Sequence, residues 1–339
     1  MEATINDEIN SVRMEKPHVV ILGAGASYAA FPNGDKNGRR LPLMNNFIEI
    51  LGLESLINST GLSFPSNNFE DIYSTIYESD LHKDVCFELE SAVYNYFSEM
   101  ELPDEPTIYD HLVLSLRRKD TIATFNWDPF LTQALVRNMG KMHEFGIDPP
   151  VAYFLHGNVK MGSCIHNHHI GLIGTKCQEC HADIQPSKLL YPVKEKNYHL
   201  DQFISKQWEL LGKDLKSAFM VTVFGYGAPS SDASAIELFK KSWGTVSSRN
   251  MEEFEVIDIR DEEDVRSTWS RFIHTHHYRV EDSFYNSFIA NHPRRTGEAY
   301  IHQYLEAKWI RNNPTPKCSS LNELWDWYER LYSVEASGT

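Results

Sequence analysis

The chain has 339 residues, enough for one large domain with insertions or for two, and its 42% apolar content supports a substantial core. A formal net charge of −15, with no basic tract beyond Arg39–Arg40, Arg117–Arg118–Lys119 and Arg294–Arg295, argues against direct nucleic-acid binding, which needs clustered cations. The polar, acidic segment Met1 to Lys16 lacks a signal-peptide core and no stretch is apolar enough to span a bilayer, so a cytoplasmic protein without membrane association is expected.

In chain order, His18-Val-Val-Ile-Leu22 reads as a buried parallel strand, stopped by Gly23, with a helix starting in Gly23-Ala24-Gly25-Ala26-Ser27. Residues 43–120 read as a helical insertion. Its apolar stripes are Met44, Phe47, Ile48 and Leu51, then Phe69, Ile72, Tyr73, Ile76 and Tyr77, then Val85, Leu89, Val93, Tyr96, Phe97 and Met100. Strand character returns at Thr121–Phe125 and Val151–Leu155. A Cys/His-rich loop over 164–183 and a helix over about 200–216 follow. Phe219–Phe224 is a further buried strand, ended by Gly225-Tyr226-Gly227, and the Asp232 carboxylate is placed to cap the next helix. Phe254–Ile259 is a late strand. The last sixty residues read as helical, with Trp309, Trp325 and Trp327 as packing anchors.

Strands alternating with helices predict an α/β fold. We expect a Rossmann-like doubly wound parallel sheet with the helical insertion at 43–120, a small zinc-binding loop module at 160–185 and C-terminal helices. The expected division is 1–290 for the Rossmann domain and 291–339 for a C-terminal helical extension.

Several segments carry chemistry. Small residues at Gly23, Ala24, Gly25, Ala26 and Ser27 let a pyrophosphate approach backbone at a helix N-terminus. The dehydrogenase fingerprint is incomplete, because Tyr28 stands where its third Gly belongs, so a tight structural turn is the alternative. Thr124-Phe-Asn126-Trp-Asp128 ends a strand, where ligands bind in open α/β sheets; a helix cap at Asp128 and a turn at Asn126 explain the same residues. Leu155-His156-Gly157 offers a general base, although a lone His is more often structural. Gly225, Tyr226 and Asp232 can line the same crevice, and Asp258 can accept from a ribose hydroxyl; a turn and a strand end are the ordinary readings.

Cys164-x-His166-x-His168-His169 followed by Cys177-x-x-Cys180-His181 is a tetrahedral zinc pattern. Its expected ligands are Cys164, Cys177, Cys180 and His166 or His168, and Asn167 stands where a fourth Cys would be. Such a saturated site is structural. A solvated face is expected for His274-Thr-His-His277. Arg294 and Arg295 are read as a phosphate or acidic-partner clamp or, more simply, as surface charge.

Taken together and in order, these motifs resemble the sirtuin fold from about residue 17 to 260. The resemblance implies NAD⁺ as substrate. It places the pyrophosphate on Gly23–Ser27 with Phe31 and Pro32 close by, Asn126 and Asp128 at the ribose and nicotinamide, and His156 as catalytic base. The segments Ala30-Phe31-Pro32-Asn33-Gly34-Asp35 and Leu189-Leu-Tyr-Pro-Val-Lys-Glu195 depart from deacylating sirtuins, at the first loop and at the acyl-peptide groove. The chain looks more like the divergent sirtuin-like proteins of bacterial anti-phage systems, which deplete NAD⁺. That resemblance implies an NAD⁺ glycohydrolase with structural zinc, a homo-oligomer, and a separate trigger or sensor subunit such as a HerA-type ring ATPase or a short Argonaute. An NAD-dependent deacylase and a non-catalytic NAD or ADP-ribose sensor are the alternatives.

Overall fold

The computed structural model describes residues 1–193, 198, 201–229, 232–273 and 275–337. Six parallel strands form its central sheet: β1 (His18–Leu22), β2 (Thr121–Thr124), β3 (Val151–Phe154), β4 (Met220–Phe224), β5 (Glu253–Ile257) and β6 (Tyr278–Glu281). Their spatial order is β6-β5-β4-β1-β2-β3. Every residue of β1, β2, β4 and β5 is buried, including the Glu253 and Glu255 side chains of β5.

The chain runs from β1 outward to β3, returns to the other side of β1 at β4, and continues outward to β6. Right-handed crossovers then put the helices of the two halves on opposite faces, a doubly wound arrangement. The topological switch point lies between β1 and β4. Register aligns the strand ends: Leu22 pairs with both Thr124 and Phe224, Thr124 with Phe154, and Phe224 with Ile257. The segments that follow five strands therefore emerge side by side along one edge.

The insertion between β1 and β2 is helical, with Phe69–Tyr77, Lys83–Ser98 and Ile108–Ser115 as its longer helices. It docks through aromatic rings. Phe47 stacks on Phe69 at 4.3 Å, and Phe47 and Phe97 meet Trp127, just past β2, edge-on at 6.3 and 6.1 Å. The Cys/His-rich segment is more than a loop: Met161–Ser163, Ile170–Leu172 and Gln185–Pro186 form a three-stranded antiparallel sheet.

The last sixty residues are less helical than expected. β6 is an edge strand of the main sheet, and Trp309–Ile310 pairs in parallel with Glu2–Ala3. Trp309 is 77% exposed, so it anchors nothing. The one long helix here, Leu321–Ser337, buries Leu324, Tyr328, Leu331 and Tyr332 in the main core. Trp325 donates its Nε1–H to Asn138 Oδ1 at 2.7 Å. Arg294 and Arg295 are fully buried on Glu335 and form neither a surface patch nor an open clamp. His276 and His277 are part of the described chain; His274 lies outside the described residues. No helix among the described residues is long and apolar enough to cross a membrane.

Candidate active site

At the switch point the two glycine loops pack against each other. Gly23 N–H donates to Phe224 O at 3.0 Å and Gly25 N–H to Gly225 O at 2.9 Å. A Cβ on Gly23 would lie 2.6 Å from Gly225 O, and one on Gly25 would lie 2.8 Å from Gly225 Cα. These glycines therefore serve loop-to-loop contact, and the Gly25 amide expected to meet a phosphate is engaged by protein. The helix Ala24–Ala30 begins here without a side-chain cap, and Ala24 is exposed. Phe31 departs from its expected place. It is buried against Phe130 at 4.2 Å and Tyr109 at 5.9 Å, because the helix ends by turning its ring into the core; the neighbouring Pro32 is exposed.

Beyond β2, Asn126 reaches back to this loop. Its Nδ2 donates to Gly23 O at 2.9 Å and to Ser27 Oγ at 3.0 Å. Ser27 Oγ donates to Asp128 Oδ2 at 2.6 Å, leaving the Tyr109 hydroxyl, 2.6 Å away, to donate to Ser27. The other Asp128 oxygen accepts from Phe130 N–H at 3.2 Å, so one carboxylate serves both the helix start and the cluster. Burial raises the Asp128 pKa to about 6, against the lowering effect of the Ser27 and Phe130 hydrogen bonds. Burial and then Asp128 hold the Tyr109 hydroxyl well above its usual range. Tyr109 gave no functional signal in sequence. What was readable there is the start of its helix, a capping box between Thr107 and Asp110.

A second cluster surrounds His156, just past β3. Its Nε2 lies 3.2 Å from Tyr198 Oη and 3.9 Å from Asp232 Oδ1, and Tyr226 donates to Asp232 Oδ2 at 2.9 Å. Phe125 joins the parts, stacking on Tyr226 at 4.1 Å and meeting His156 edge-on at 4.7 Å. Asp232 was expected to cap its helix. It makes no side-chain cap bond and turns toward Tyr226 and His156. Ser230 and Ser231 of the same loop lie outside the described residues. Gly157, at φ +79, brings its neighbours under residues 188–190, where Leu190 N–H donates to His156 O at 2.9 Å. Asn158 ties the two clusters, donating to Asp128 O at 2.6 Å. Lys194 and Glu195, which end the segment compared with the acyl-peptide groove, also lie outside the described residues.

Asp258 stands at the end of β5, but its carboxylate holds Arg260 at 2.7 Å and is tied to its own loop. A groove of about 810 Å³ lies away from the glycine loops, between the helices Phe69–Tyr77 and Lys83–Ser98 and the segment 187–193.

In the small sheet, the sulfurs of Cys164, Cys177 and Cys180 lie within 4.8 Å of one another, with Cys164 and Cys180 3.2 Å apart. Backbone N–H groups of Cys180 and Glu179 lower the Cys177 thiol to about 6, which favours a metal-binding thiolate. These donors fit zinc. His166 is not brought in. The turn points its side chain to solvent, and only its backbone N–H reaches Cys164 Sγ, at 3.4 Å. His168 and His181 occupy left-handed turn positions, at φ 56 and 58. Asn167 Oδ1 lies 3.4 Å from Cys177 Sγ, near the open side of the cluster.

No protein-family model matches the chain, and no curated protein matches it. Among solved structures it is similar to a Sir2 homologue in complex with NAD, with 12% identity, a TM-score of 0.37, and 86% of this chain and 93% of that chain covered. It is also similar to a Sir2 enzyme studied for its mechanism and regulation, with 13% identity, a TM-score of 0.41, and 89% and 96% covered. A complex of Sir2 with a p53 peptide and NAD⁺ matches with 16% identity, a TM-score of 0.31, and 76% and 85% covered. Likenesses this remote place no residue of the site.

Proposed function

We propose that this chain hydrolyses NAD⁺ to nicotinamide and ADP-ribose at the carboxyl edge of its sheet, beside the switch point. The observation that carries the reading is Asp128, a buried carboxyl whose donors, Ser27 Oγ–H and Phe130 N–H, are both neutral. Such a group gains most from a cation. The substrate brings one in its nicotinamide ring, and positive charge builds on the ribose as the glycosidic bond breaks. The motif order that resembles sirtuins supports the same reading.

In this reading Asp128 holds the carboxamide and faces the developing charge. Asn126, fixed by Gly23 and Ser27, positions the ribose or the attacking water. Water adds to the ribose carbon, nicotinamide departs with the bonding electron pair, and His156 takes the proton released. Zinc on the three cysteines would be structural, holding the small sheet whose exit strand leads to Ser187 and Leu190 beneath His156. By the same resemblance we propose a role in anti-phage NAD⁺ depletion, with the chain acting as a homo-oligomer alongside a separate trigger subunit.

The test is NAD⁺ consumption, with products separated by chromatography, for wild type and Asn126→Ala, alone and with the product of the neighbouring gene. Nicotinamide and ADP-ribose from wild type only, without acyl-peptide, is the expected result. Release that requires acyl-peptide would mark a deacylase, and calorimetric NAD⁺ binding without turnover would mark a sensor.

A further inference from the structure

We infer that Asp232 is the carboxylate partner of His156, a positioning residue that orients the imidazole through Nε2 and steadies it when it becomes charged. The inference rests on the NAD⁺-cleaving reading for its catalytic consequence, though not for its geometry. The sequence suggested two other roles for Asp232, a helix cap and a nucleotide ligand. The cap bond is absent, and both carboxylate oxygens face the His156 cluster: Oδ2 accepts from Tyr226 at 2.9 Å and Oδ1 lies 3.9 Å from His156 Nε2.

The ring has little freedom to turn away. Tyr198 lies nearly parallel to it at 5.8 Å with its hydroxyl 3.2 Å from Nε2, and Phe125 meets it edge-on at 4.7 Å. Phe125 in turn clamps the Tyr226 ring at an interplanar angle of 8°, which fixes the hydroxyl that holds Asp232. The side chains of His156 and Asp232 are only 7% and 5% exposed, so water and salt screen their attraction weakly.

A neutral imidazole carries one N–H and one lone pair. With the proton on Nε2, toward Tyr198 and Asp232, the lone pair is on Nδ1. When Nδ1 takes a proton from a ribose hydroxyl or from water, the ring becomes an imidazolium. The Asp232 charge then stabilises it without receiving the proton. Among the described residues, the titratable groups facing His156 are Tyr198 and Asp232, with Tyr226 behind Asp232 and Glu70 of the Phe69–Tyr77 helix acting on Tyr226. Burial and Asp232 hold both tyrosine hydroxyls above their usual range, so they remain proton donors.

Two measurements on folded full-length chain test this. The first is an NMR titration of the His156 ring, assigned with His156→Gln, in wild type, Asp232→Asn and Tyr226→Phe. Removing the carboxylate charge should lower the His156 pKa by about one pH unit or more, and loosening it in Tyr226→Phe should lower it less. The second is kinetic. Asp232→Asn should lower kcat at least tenfold with KM for NAD⁺ within about twofold, and the acid limb of the kcat/KM profile should move with the NMR value. An unmoved His156 titration overturns the inference, as does a raised KM with unchanged kcat, which would make Asp232 a nucleotide ligand. Tyr226→Phe decides the matter if Asp232→Asn does not fold. If wild type turns over no NAD⁺, the hydrolase reading fails on its own assay while the titration still decides the pairing.

Discussion

Asp128 shows what a buried carboxyl does to stability. Its folded pKa of about 6 stands above the ordinary 3.8, so between those pH values the folded protein holds a proton that the unfolded chain has released. Stability is therefore lost as pH rises through that window. Above it the ionised group costs about 3 kcal/mol at most, at 1.36 kcal/mol per pH unit. Asparagine can accept from Phe130 N–H and donate to Ser27 Oγ in the same place. Asp128→Asn should thus be more stable than wild type in urea at pH 7.5, by up to about 3 kcal/mol, with the gain vanishing near pH 4. NAD⁺ hydrolysis should fall by about a hundredfold or more. Glu255 provides the control. Burial pushes it to about 7, and it accepts from Thr222 and from Phe288 N–H, away from the Asn126–Asp128 cluster. Glu255→Gln should gain stability at pH 8 and keep wild-type turnover. Equal loss of activity in the two variants would separate the Asp128 effect from chemistry at the site.

Among the elements, the glycine loops and the cysteine turns make contrasting demands. Gly225 adopts φ +63, and a Cβ there would lie 2.1 Å from Ala26 N, whereas Gly227 has nothing within 4 Å. Gly225→Ala should cost about 2 kcal/mol or more by thermal melting and abolish turnover, while Gly227→Ala should do neither. In the small sheet, Cys177→Ser should lose bound zinc by elemental analysis and His166→Ala should keep it. Loss of zinc from both would return His166 to the ligand set. Five strands were legible because each is a short run rich in β-branched and aromatic residues. β6 escaped notice because Tyr278-Arg-Val-Glu281 lies half-buried at an edge and carries charge. The placement of Asn126, Asp128 and His156 along one edge was legible because they follow β2 and β3 within a few residues. Tyr109 and Tyr198 were not, since a tyrosine that completes a site and one that fills a core look alike until folding brings its hydroxyl to a partner. The placement of Asp232 beside His156 was hidden likewise, because a helix-cap position explains an Asp without reference to a distant His.

Across the whole molecule, the turn at 292–296 joins three distant parts of the chain. Arg294, at φ 62, donates its backbone N–H to Ser115 O, and its guanidinium reaches Leu114 O, Leu116 O and Glu335. Arg295 reaches Ile9 O, Leu331 O and Glu335, and His292 pairs with Glu8 at 2.9 Å. A sequence shows two adjacent arginines as surface charge; here one carboxylate from the last helix pairs with both in the interior. Removing it strands two buried guanidinium groups. Glu335→Ala should therefore cost about 3–5 kcal/mol in urea, whereas Glu209→Ala, which breaks an exposed pair with Lys213, should cost less than about 1 kcal/mol. The location of the damage is more telling than its size. Because Arg295 binds both Ile9 O and Glu335, hydrogen exchange in Glu335→Ala should lose protection over Ile5–Ile9 and Leu321–Ser337 together. Opening of Leu321–Ser337 alone, with Ile5–Ile9 still protected, would mean that the last helix docks independently. Joint opening would mean that the last helix and Ile5–Ile9 form one cooperative unit, tied through Arg295.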